Sequence, residues 1–69
     1  MDQDQLNLAI RLLGAQRADR VINNGTIRAQ FGDRITAALR YECEQRDREI
    51  EVFDQIIADC TEKLGGTDV

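Results

Sequence analysis

Histidine, proline, serine and tryptophan are missing from the 69 residues, and a single lysine stands against eight arginines. Without histidine there is no imidazole to act as a base at neutral pH, and no HExxH or Glu-x-x-His metal site. Without serine, a hydroxyl nucleophile would have to be Thr26, Thr36, Thr61 or Thr67. Gly14, Gly25 and Gly32 are scattered and follow no strand, so no phosphate-binding loop is formed. These absences point away from an enzyme, and neither a cofactor nor a metal is expected. The carboxylates Glu42, Asp47, Glu49, Glu51 and Asp54 do not read as a calcium loop. They lie on a helical run interleaved with Arg46 and Arg48, without the glycine turn such loops need.

No apolar run approaches the ~18 residues that a membrane span requires, and MDQDQ carries no basic residue ahead of a hydrophobic segment. The reading is of a protein without signal peptide or anchor, located in the cytoplasm of a bacterium, or of a host cell if phage-encoded. Cys43 and Cys60 fall on one helix roughly 25 Å apart, too far to bridge. Free thiols fit a reducing compartment.

What is present favours helices. Hydrophobic residues make up 42% and charged residues 32%, a mixture suited to helix surfaces rather than to the Gly- and Pro-rich turns of sandwiches and barrels. Asp2 and Gln5 have the spacing of a capping box, so helix 1 is expected from about residue 4. Leu6, Ala9, Ile10, Leu13 and Val21 share a face, with Arg17 and Arg20 on its fringe. Asn23-Asn24-Gly25 tolerate positive φ and predict its end near residue 23, leaving a turn over 24–30 with Thr26 as the next cap. Helix 2 is then expected over about 31–64 and a frayed tail over 65–69.

The fold class predicted is therefore all-α: a single helical-hairpin domain with a short helix 1 and a long helix 2. A short helix leaves part of a long one uncovered, and a 69-residue chain buries little core alone. The expectation is a homodimer, a four-helix bundle or coiled coil, with Leu39, Ile50, Phe53, Ile57, Cys60 and Leu64 at the dimer interface.

YECEQRDREIE, residues 41–51, interrupts that stripe with charge. Glu42 and Arg46 are four apart and Arg46 and Glu49 three apart, spacings that pair on a helix surface. Three readings stay open: a self-satisfied surface triad, a polar layer fixing register across a dimer, or a cleft. In the second, Glu42, Arg46 and Glu49 would meet across the interface; in the last, Tyr41, Gln45 and Arg46 would line a polar cleft between chains for a partner's side chain or a small anionic ligand.

Two partner classes remain. LLGAQRADRVINNGTI, residues 12–27, resembles the helix-turn-helix of excisionase-type regulators if Gly14 breaks helix 1, although its recognition helix is about two residues short and a wing is missing. That resemblance implies a dimeric DNA-binding regulator with Arg17 and Arg20 in the groove and Arg28 and Arg34 on phosphate. The net charge of −4 opposes it. Residues 1–40 carry +2 and residues 41–69 carry −6, so DNA contact would be confined to the first half. The other class, which the composition favours, is a larger cytoplasmic protein partner. Small acidic helical proteins without catalytic groups, including those of phages and mobile elements, act by occupying another protein's surface, and arginine suits such interfaces.

Overall fold

In a computed structural model, which describes residues 2–65, the chain forms two helices joined by a tight turn. Helix α1 spans Gln3–Phe31, a 3₁₀ turn spans Gly32–Arg34, and helix α2 spans Ala37–Gly65. The described residues contain no strand. The molecule is an antiparallel helical hairpin measuring 51 × 15 × 14 Å.

The capping box forms as expected. The Gln5 amide donates to Asp2 Oδ1 at 2.8 Å, and the Asp2 amide donates to Gln5 Oε1 at 3.1 Å. From there α1 passes through Gly14 without interruption, and it passes through Asn23-Asn24-Gly25 as well. The predicted end at residue 23 and turn over 24–30 are thus corrected, because tertiary contact overrides local propensity. Asn24 is turned inward at 2% exposure, and its side chain bonds to α2 instead of terminating α1. The helix stops at Gly32, where φ reaches +51° and the Gly32 amide still bonds to the Arg28 carbonyl. Thr36, not Thr26, caps the second helix: its Oγ1 accepts from the Leu39 amide at 3.2 Å. Of the expected frayed tail, Gly65 ends α2, and residues 66–69 lie outside the described residues.

Both helices are 29 residues long. The expected mismatch between a short and a long helix is therefore absent, and α1 runs alongside the whole of α2. Their facing stripes follow the alternating four- and three-residue spacing of a coiled coil. On α1 it runs Leu6, Ile10, Leu13, Arg17, Arg20, Asn24, Ile27, Phe31, and on α2 Leu39, Cys43, Arg46, Ile50, Phe53, Ile57, Cys60, Leu64. Val21, expected on the apolar face of helix 1, flanks its stripe and is exposed, as is Ile56 beside the stripe of α2. Arg17 and Arg20, read as fringe, occupy stripe positions. Only Leu6, Cys43 and Cys60 among the described apolar residues are fully buried, as a two-helix layer dictates.

Candidate functional site

The middle of the hairpin is polar on both helices. Three arginines of α1 reach across to carboxylates of α2. Arg17 Nε bonds to Asp54 Oδ1, Arg20 Nε to Glu49 Oε2 at 3.0 Å, and Arg28 Nη2 to Asp47 Oδ2 at 2.7 Å. Arg20 also lies over the Phe53 ring, 4.8 Å from its centroid, a cation–π arrangement. The Arg17 and Arg28 pairs are about half exposed, so solvent screening leaves each only a small contribution to stability.

Asn24 is the buried member of this cluster. Its Nδ2 donates to the Cys43 carbonyl at 2.9 Å and to Asp47 Oδ1 at 3.0 Å. Asp47 thus receives Asn24 and Arg28, two residues one helical turn apart on α1, and this fixes how the helices slide past one another. The Arg28 hydrogen bond is the main reason that the Asp47 carboxyl is held below its ordinary range. Partial desolvation opposes it, while the Arg28 charge and the Asn24 amide add to it. The same bond raises the Arg28 guanidinium. Asn24 Oδ1 and Arg46 Nη1 are closed off from solvent without a hydrogen-bond partner. They are an acceptor and a donor at neighbouring levels of the hairpin.

Of the residues singled out from the sequence, Leu39, Ile50, Phe53, Ile57, Cys60 and Leu64 lie on the α2 face turned toward α1. Cys60 is buried and the other five half-buried. Glu49 is engaged by Arg20 from the other helix, not by Arg46, so the proposed surface triad does not form. Arg46 sits half-buried on the α2 stripe, whereas Tyr41 and Glu42 are exposed. Gln45 joins Arg48, Glu49, Val52 and Phe53 around a shallow depression of about 320 Å³. Arg17, Arg20 and Arg28 are committed to α2, and Arg34 is exposed in the turn. Because residues 12–27 form one uninterrupted helix, the turn that a helix-turn-helix needs at Gly14 is not made.

Sequence reasoning missed Asn24, whose local chemistry reads as part of a helix stop. The signal was available in the spacing. The alternation of four and three from Leu6 to Phe31 is unbroken once polar residues are admitted to it. Among the described residues no group of three or more Cys, Asp or Glu side chains is placed to hold a metal ion, and no helix is long and apolar enough to cross a membrane. No protein-family model matches the chain, and no curated protein and no solved structure is significantly similar to it.

Proposed function

We propose that the protein is a non-enzymatic interaction module that works as a homodimer of helical hairpins and regulates or inhibits a larger cytoplasmic partner. The observation that carries this reading is the set of large apolar side chains on the outer surface. Leu8 and Ile22 on α1 and Tyr41 on α2 point away from the opposite helix, with Ile22 at 65% and Tyr41 at 62% exposure. Set on the outer faces of the helices, these apolar groups are available for contact with another protein. The arginine pairing supports a protein partner over DNA, since three of the four arginines assigned to DNA are neutralised by α2 carboxylates.

The test is capture from lysate of the native host, comparing the native chain with Ile22→Glu and Tyr41→Ala. One partner recovered by the native chain and lost with both variants supports the reading. A duplex-DNA mobility shift that weakens steeply with salt and disappears in Arg17→Ala with Arg20→Ala would replace it with the regulator reading.

A further inference from the structure

We propose that the second copy docks on one side of the hairpin, the side bearing Leu12, Val52 and Ile56. This rests on the homodimer reading above and adds the surface that forms it. The cross-helix pairs Arg17–Asp54 and Asn24–Asp47 set an antiparallel register that places Leu12 level with Asp59, Ile56 with Ala15 and Val52 with Asp19. The hairpin consequently has two flanks. One carries Asn24 and the ion pairs Arg17–Asp54 and Arg28–Asp47. The other carries Arg20–Glu49 and, beside it, the exposed Leu12, Val52 and Ile56.

Three observations favour a second copy on this other flank. A folded monomer of this mass, 7.8 kDa, exposes about 4,400 Å² by the usual scaling. The hairpin exposes 5245 Å². The excess, about 850 Å², is the surface that an elongated two-helix layer leaves uncovered, and it is large enough to supply the roughly 800 Å² that each partner contributes to a stable interface. Next, Leu12, Val52 and Ile56 fall within about 10 Å of one another along the axis, near the midpoint of α1. A central patch can meet its own copy about a two-fold axis, whereas a terminal one would leave half of each hairpin uncovered. Finally, the depression lined by Gln45, Arg48, Glu49, Val52 and Phe53 opens on this flank, and at about 320 Å³ it has room for an aliphatic side chain of the mate. Docking on the opposite flank would desolvate two ion pairs, Arg17–Asp54 and Arg28–Asp47, against the one, Arg20–Glu49, on this flank, and such a penalty grows with each pair.

The assignment is tested by sedimentation equilibrium of the full chain carrying Leu12→Arg, Ile56→Arg or Val21→Arg, with helicity checked by circular dichroism. All three positions are exposed in the single hairpin, so folding of the protomer is not the expected casualty. The native chain and Val21→Arg should be dimers, and Leu12→Arg and Ile56→Arg should dissociate at least tenfold more readily. Dissociation by Val21→Arg alone overturns the assigned side while leaving the dimer intact as a reading. A native chain that stays monomeric overturns both. Should a variant lose helicity, methyl NMR of the native chain on dilution decides. Leu12, Val52 and Ile56 resonances should shift with concentration, and a shift at Val21 instead would contradict the assignment.

Discussion

Replacing Asn24 by leucine exchanges a buried polar layer for an apolar one, and the structure allows the balance to be worked out. The side chain is 2% exposed and donates two hydrogen bonds, one to a neutral carbonyl and one to a carboxylate. Their loss costs about 1 kcal/mol and about 1.5–3 kcal/mol respectively. Neither acceptor is stranded, because the Cys43 carbonyl lies inside α2, where the helix ladder supplies a donor, and Asp47 keeps Arg28. Against this loss, Asn24 Oδ1 is already buried and unsatisfied, and removing it returns about 1–3 kcal/mol. A leucine at this stripe position adds about 1.5–3 kcal/mol of apolar burial. The expected net effect is stabilisation by roughly 1 kcal/mol, a rise of about 4–8 °C in Tm for a domain of this size. The accompanying loss is of uniqueness: with the Asn24–Asp47 bond gone, alternative registers and higher oligomers should appear. Thermal and urea melts followed by circular dichroism, paired with sedimentation velocity, read both effects. A destabilisation above about 2 kcal/mol with an unchanged single species would instead make the polar layer a net source of stability and contradict this balance.

Gly14 and Gly25 lie inside α1 with nothing within 4 Å of the place a methyl group would take, so Gly14→Ala and Gly25→Ala should each raise stability by up to about 1 kcal/mol in urea melts. Gly32→Ala should do the opposite, losing roughly 1–3 kcal/mol, because φ of +51° with ψ of −125° is open to glycine almost alone. Asp47 has its pKa lowered in the folded state, so its contribution is complete above the unfolded carboxyl value of about 4 and is lost as pH falls through the folded one. Melting temperature should be level from about pH 7 to 5 and decline below about pH 4, less steeply in Asp47→Asn.

The helical class, the hairpin and the capping box at Asp2 were legible because each rests on local chemistry: propensity, an apolar stripe and a carboxylate placed three residues before a glutamine. The turn was misplaced for a reason equally physical. Asn23-Asn24-Gly25 has every local property of a helix stop, yet the amide of Asn24 finds a better set of partners on α2 than on its own backbone. With the turn at Gly32 the helices are equal, and no stretch of α2 is left without α1 beside it. The case for a second copy therefore stands on exposed area and on the flank at Leu12 and Ile56, not on a difference in helix length. Arg46 lies half-buried on the α2 stripe with Nη1 closed off from solvent, and its surroundings depend on α1 residues far away in the chain, which no reading of the 41–51 segment alone contains.

The mass of the native protein in solution decides whether the hairpin works alone or as a pair. Light scattering coupled to size exclusion at tens of micromolar should give twice the 7.8 kDa of one chain. A single well-folded species at 7.8 kDa would contradict the account, because the hairpin would then be complete by itself.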